Sequence, residues 1–222
     1  MTRSMAPDSH TPPLGHKALT PLYDIAIAAL TREGAWRRQF VQVIAPELND
    51  RIIDIGSGTG SLAVSLYKAF QGFAYVGVDP DEEAVRRARR KTARLEPRIR
   101  FELGYFSADT SYFDEPPTKI VSSLVLHQVP VAEKKRIIRD IFKTLPPGGN
   151  VCIADYGYQK SGLMRLLFRV TVQALDGVED TQPNAEGIIS EILEQSGFSH
   201  VSEVSRIPTL TGTISIYSGE KP

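Results

Sequence analysis

The chain has 222 residues, of which 26 are basic and 26 acidic. That length supports one domain with a substantial core, and zero net charge gives no bulk attraction to nucleic acid or to an anionic membrane. The single cysteine, Cys152, excludes an intramolecular disulfide and offers no zinc cluster.

The chain opens with Pro7, Pro12, Pro13 and Gly15 among polar groups, and residues 1–19 read as a mobile leader. No signal-peptide pattern is present and no apolar run approaches roughly 18 residues, so a soluble, cytoplasmic protein is expected. Cap helices are expected over 20–46, from Tyr23 to Thr31 and from Ala35 to Ile44, the second stopped by Pro46. A strand follows at 51–55, then a helix from Ser61 to Phe70 and a strand at 74–78. The next helix begins with Asp81, Glu82 and Glu83 and ends in arginines. Strands are expected at 99–103 and 119–124, a helix from Ala132 to Thr144, and a strand at 150–155 that buries Cys152. An insertion at 156–184 precedes a helix from Ala185 to Gln195. Two closing strands, at 201–206 and 213–217, form a hairpin around Thr211 and Gly212. Strands joined by helices indicate an α/β, Rossmann-like doubly wound parallel sheet with helices on both faces. The helix-free final hairpin requires one antiparallel strand.

Residues 52–60 read Ile-Ile-Asp-Ile-Gly-Ser-Gly-Thr-Gly. Asp79 stands at the end of the second apolar run. Strand, glycine loop, helix, strand and acid is the layout of a nucleotide-type site. A dinucleotide fold would place its third glycine at position 61, where this chain has Ser61; here the third glycine is Gly60. A turn needing glycine for packing alone leaves the acids at both strand ends unexplained. Right-handed crossovers bring the residues after each strand to one edge. These are Asp54 to Gly60, Asp79 and Pro80, Gly104 to Phe106, Ser122 to His127, and Asp155 with Tyr156.

This pattern resembles class I S-adenosylmethionine-dependent methyltransferases over roughly residues 20–218. The segment Leu124-Val125-Leu126-His127-Gln128-Val129 and the segment Leu22-Tyr23-Asp24 are similar to the small-molecule, quinone-biosynthesis group. The resemblance implies a seven-stranded sheet of order 3-2-1-4-5-7-6. It implies S-adenosylmethionine as cofactor, S-adenosylhomocysteine as product, and in-line transfer of a methyl group to oxygen, nitrogen or carbon of a small, partly apolar acceptor. Asp54, Gly56, Ser57, Gly58 and Gly60 would hold the methionine part, Asp79 and Pro80 the ribose, with Tyr23, Ser122 and Leu124 closing around them. An acid that contacts adenine in many relatives is missing, since the chain has Gly104-Tyr105-Phe106; Phe106 is expected to pack on the adenine, with Tyr105 beside it.

A base is needed only if the acceptor arrives protonated, and His127 is then the candidate. The default is a histidine that packs without taking a proton. Tyr156 and Asp155 are second candidates for acceptor contact. Met164, Leu167, Phe168 and Thr171 of the insertion are expected to line an apolar acceptor pocket, the alternatives being a homodimer or membrane-surface contact. The eight basic residues between 86 and 100 read as a solvated face rather than a nucleic-acid surface. No metal is required. A membrane lipid or quinone as acceptor, and cofactor binding without catalysis, stand as alternative functions.

Overall fold

The computed structural model describes residues 31–95 and 98–222. The expected leader, all but the last residue of the first cap helix, and Tyr23 lie outside them. Helix α1 (Glu33–Ile44) leads into β1 (Arg51–Ile55), α2 (Ser61–Ala69), β2 (Ala74–Asp79), α3 (Glu82–Thr92) and β3 (Ile99–Leu103). Next come β4 (Lys119–Ser123), a short 3-10 turn (Leu126–Gln128), α4 (Val131–Thr144) and β5 (Asn150–Tyr156). The insertion folds as α5 (Gly162–Val170), α6 (Val172–Asp176) and α7 (Val178–Ala185), before α8 (Ile188–Gln195), β6 (Ser199–Thr209) and β7 (Gly212–Glu220).

The seven strands form one sheet in the order 3-2-1-4-5-7-6, as expected. The first five are mutually parallel, and β7 runs antiparallel to both β5 and β6. Strand residues alternate between two cores, as a pleat of period two dictates. Ile52, Tyr75 and Val121 face the side covered by α1, α2 and α3, whereas Ile53, Val76 and Ile120 face the side covered by α4 and α8. With both faces covered, β1, β2 and β5 carry long apolar runs, whereas β3 at the sheet edge alternates apolar and charged residues. Helix α1 buries Trp36, Phe40, Val41 and Ile44 on one stripe. Phe40 and Ile44 alone each contribute roughly 1.5–3 kcal/mol by leaving water. Cys152 is buried as expected, and burial pushes its thiol up to about 12.

The expected helix at 185–195 is broken. Gly187 takes φ 89°, a left-handed conformation that ends α7 and restarts the chain as α8. The basic helix α3 is tied down on its own surface: Arg86 and Arg87 pair with Glu83, Arg89 donates to the Phe101 carbonyl, and Lys91 reaches Thr59 and Ser61.

Lys134 fastens the insertion to the sheet edge. It is fully buried on α4, where its Nζ donates to the carbonyls of Val129 at 2.6 Å and Asp180 at 2.7 Å. Lys134→Met removes both bonds and with them the link between the two carbonyls. The expected loss is roughly 2–3 kcal/mol, seen by calorimetry as a Tm lower by roughly 4–10 °C. An unchanged Tm would mean that α7 is held by packing alone.

Candidate functional site

The strand order reverses between β1 and β4, and ligands of open α/β sheets bind at such a reversal. The register keeps that edge level: Ile55 pairs with both Val78 and Ser122, and Asp79 pairs with Leu103. The expected residues after β1, β2, β3, β4 and β5 therefore share one edge.

The glycine loop is bonded to the end of β2. The amides of Gly56 and Ser57 donate to the Val78 carbonyl at 2.8 and 3.2 Å, and the Gly58 amide donates to Asp79 Oδ2 at 2.7 Å. Gly56 takes φ 69°, and a Cβ there would lie 2.2 Å from Val125 Cγ2. Backbone conformation and the neighbouring β4 exit both demand glycine at this position. Gly60 likewise takes a left-handed φ of 74°, and a Cβ there would lie 2.9 Å from Phe101 and 3.1 Å from Ala88.

The two acids differ in what they hold. Asp54 is fully buried and accepts a hydrogen bond from Tyr75 Oη on its Oδ2. Its Oδ1 has no hydrogen-bond partner among the described residues. Burial raises the Asp54 carboxyl to about 7, against the opposing pull of Tyr75 and of Arg37 on α1. Ser57 Oγ and Arg37 Nε are likewise buried without hydrogen-bond partners among the described residues. Asp79 accepts from the Gly58 amide on Oδ2 and from the Asp81 amide on Oδ1 at 2.9 Å. Each oxygen keeps a further lone pair, and burial raises this carboxyl too.

After β3 the two aromatics part company. Phe106 is buried and stacks on Tyr112, with ring centres 5.7 Å apart and planes 16° apart, so the core takes the ring expected on the adenine. Tyr105 is 71% exposed and is the aromatic presented at the edge. Pro80 is exposed beside Asp79. Ser122 is buried and donates its hydroxyl to the Ile55 carbonyl at 2.9 Å, tying β4 to β1. Leu124 turns the chain out of β4 with φ 56°.

His127 is buried between carboxylates. Its Nδ1 lies 2.7 Å from Asp155 Oδ1 and its Nε2 lies 3.6 Å from Asp176 Oδ2 at the end of α6. Burial alone would favour the neutral ring; Asp155 and then Asp176 outweigh it and hold the pKa at about 9. The two carboxylates favour the protonated ring, which weighs against the base role; Gln128 Nε2 also lies 3.3 Å from His127 Nε2. The packing role remains, with Asp155 as anchor. Tyr156 meets the His127 ring edge-on at 5.0 Å, and Phe168 packs on Tyr156 at 5.2 Å. The Tyr156 hydroxyl bonds Thr211 Oγ1 at 2.8 Å. On α5, Phe168 is buried while Met164 and Leu167 are half-buried, and Thr171 bonds the carbonyls of Leu167 and Thr211. Arg37 and Asp176 carry no sequence signal, because their spacing to Asp54 and His127 is set by tertiary packing.

The donor and acceptor set fits S-adenosylmethionine. The orphaned Asp54 Oδ1 suits an ammonium group, and the spare lone pairs of Asp79 suit a ribose diol. Residues 52–149 match the family model described as a methyltransferase domain. A carboxy-S-adenosyl-L-methionine synthase of Trichodesmium erythraeum is 25% identical, over 89% of this chain and 81% of its own. A ubiquinone/menaquinone biosynthesis C-methyltransferase, UbiE, of Syntrophotalea carbinolica is also 25% identical, over 99% and 97%. The Haemonchus contortus phosphoethanolamine N-methyltransferase 2, solved with S-adenosyl-L-methionine, shares the fold at a TM-score of 0.65 and 16% identity. That match covers 85% of this chain, which spans about half of that structure's length, 52%.

An ammonium group placed at Asp54 must displace a proton whenever the pH lies below about 7. Affinity for S-adenosylhomocysteine is expected to rise up to about tenfold per pH unit below that point and to level off above it. Tyr75→Phe removes a bond that favours the carboxylate, so it should shift the profile to higher pH. Calorimetry in two buffers of different ionisation enthalpy reads the proton release directly; no release at acidic pH would place the ammonium elsewhere.

Proposed function

We propose that this chain, a member of the class I S-adenosylmethionine-dependent methyltransferases, methylates a small, partly apolar acceptor held between the β4 and β5 exits and helix α5. The buried, unpartnered Oδ1 of Asp54 supports the cofactor side of this reading. The row of rings His127, Tyr156 and Phe168 supports the acceptor side. The relative named for quinone biosynthesis makes a quinone-like ring the first acceptor to try.

When bound, the cofactor supplies an activated methyl group on a sulfonium. The chain's own residues bind and orient. Asp54 holds the methionine end and Asp79 the ribose. Tyr105 offers its exposed ring beside the adenine. His127, held by Asp155, fixes the β4 exit and gives Tyr156 a firm wall. Tyr156 and Phe168, with Met164 and Leu167 partly exposed on α5, keep water from the acceptor. Holding nucleophile and methyl donor in line is the main source of rate in such a site, worth up to roughly 7–11 kcal/mol in favourable cases. The acceptor's proton, where it has one, does not go to His127.

Two measurements test this. In calorimetry, S-adenosylmethionine and S-adenosylhomocysteine are expected to bind, NAD to be silent, and Asp79→Ala to lose binding; a preference for NAD would reverse the reading of the glycine loop. In a methyl-transfer assay with quinone-like acceptors, His127→Gln is expected to lose less than about tenfold in turnover with cofactor binding intact. A loss beyond about a hundredfold would restore the base. Binding without turnover on any acceptor would favour a cofactor-binding protein that does not transfer methyl groups.

A further inference from the structure

Among the described residues, nothing covers an apolar stripe on helix α5. Leu163, Leu166 and Val170 stand at i, i+3 and i+7, and they are 62%, 56% and 58% exposed. Single exposed leucines are ordinary, but three in register on one nine-residue helix form a face. The opposite side of the same helix sends Phe168 into the core. The apolar surface extends beyond the helix. A groove of about 620 Å³ is lined by Tyr158 and Val178 together with Leu166, Arg165 and Arg169.

The charge on this segment departs from that of the chain. Residues 157–175 carry Lys160, Arg165 and Arg169 and no acid, whereas the whole chain is neutral. All three cations are exposed. Glu186 lines the far wall of the groove, where it accepts from Gln182 at 2.8 Å. Asp176, the first acid after the segment, faces His127 instead.

We infer that the α5 stripe docks the enzyme on an anionic bilayer surface, with Leu163, Leu166 and Val170 entering the headgroup boundary and Lys160 and Arg169 facing lipid phosphates. Apolar side chains on one face of a helix with cations flanking them are what an interfacial helix needs, because burial and charge then add. A second copy of the chain fits less well, since two such faces would bring their cations together. Among the described residues no helix is long and apolar enough to cross a membrane, so the attachment is peripheral. The inference deepens the apolar-acceptor reading. The inner side of α5 carries Phe168 against Tyr156, so a lipid-dissolved acceptor would have a short path from the bilayer to the rings.

Flotation of the full chain with phosphatidylcholine vesicles, with and without phosphatidylglycerol, tests it. The readout does not depend on turnover, so it stands apart from the acceptor assignment. Wild type is expected to float with the anionic vesicles only, and to be released by high salt. Leu163→Ser with Leu166→Ser, and separately Lys160→Gln with Arg169→Gln, are each expected to weaken binding by about tenfold or more. The melting temperature and S-adenosylhomocysteine affinity of both variants should stay at wild-type values. Absence of wild-type flotation overturns the inference, and so does unchanged flotation of the charge variant. A dimer detected by light scattering and dissolved by the leucine variant, with no vesicle binding, would reassign the stripe to self-association.

Discussion

The carboxylate of Asp155 is the point on which the active edge is assembled. It sits at the end of β5 with no exposure to solvent. One oxygen accepts from the amides of Val125, Leu126 and His127, at 3.1, 2.7 and 3.4 Å; the other accepts from the Tyr156 amide and meets His127 Nδ1, each at 2.7 Å. A single buried charge thus satisfies the first amides of the turn after β4, where the chain has just left the sheet and has no ladder partner. That turn carries Val125, whose methyl group leaves no space for a side chain at Gly56. The need for glycine at position 56 is therefore linked to a carboxylate two strands away. His127, placed between Asp155 and Asp176, extends the same network into the insertion. A protonated ring there lowers the cost of burying Asp155, which alone would be severe.

The acid at the end of β1 is bonded differently. Both oxygens of Asp155 are paired, although Ser215 Oγ and Asn184 Oδ1 nearby are not, whereas at Asp54 a carboxylate oxygen is itself left over among the described residues. Asp54 Oδ1, Ser57 Oγ and Arg37 Nε are buried without hydrogen bonds among the described residues. Groups left in that condition cost free energy that a rigid fold must supply. Such a cost is tolerable where a ligand repays it on binding. The two acids differ in this: both Asp155 oxygens are used within the protein, and one Asp54 oxygen is not used among the described residues.

Much of this was legible in the sequence, for identifiable reasons. The strand order and the parallel pairing follow from alternating elements, and the loop chemistry follows from glycine spacing with acids at two strand ends. Residues close in sequence and bound by backbone rules are readable in this way. The rest depends on contacts between distant segments. The second nitrogen of His127 meets Gln128 Nε2 at 3.3 Å and Asp176 Oδ2 at 3.6 Å; no spacing links Asp176 to the histidine, so packing stood as the default reading and the base as the alternative. Phe106 reads as a ring near the adenine until Tyr112 is seen to claim it. The break at Gly187 was missed because 185–195 has enough apolar periodicity to pass as one helix.

The insertion joins these threads. It leaves the sheet directly after Tyr156, so its first helix must lie over the β5 exit, and Phe168 takes that place against Tyr156. The inner side of α5 is thereby committed to Tyr156, and among the described residues nothing packs on its outer side. A helix needed only as a lid would carry polar residues there, since exposed leucines contribute no stability and invite aggregation. Leucine and valine at these positions, bordered by arginine and lysine, make sense if the outer face has its own surface to meet. An enzyme whose acceptor dissolves in lipid gains from placing that contact one helix away from the reacting atoms, because the acceptor can then enter the pocket without crossing water.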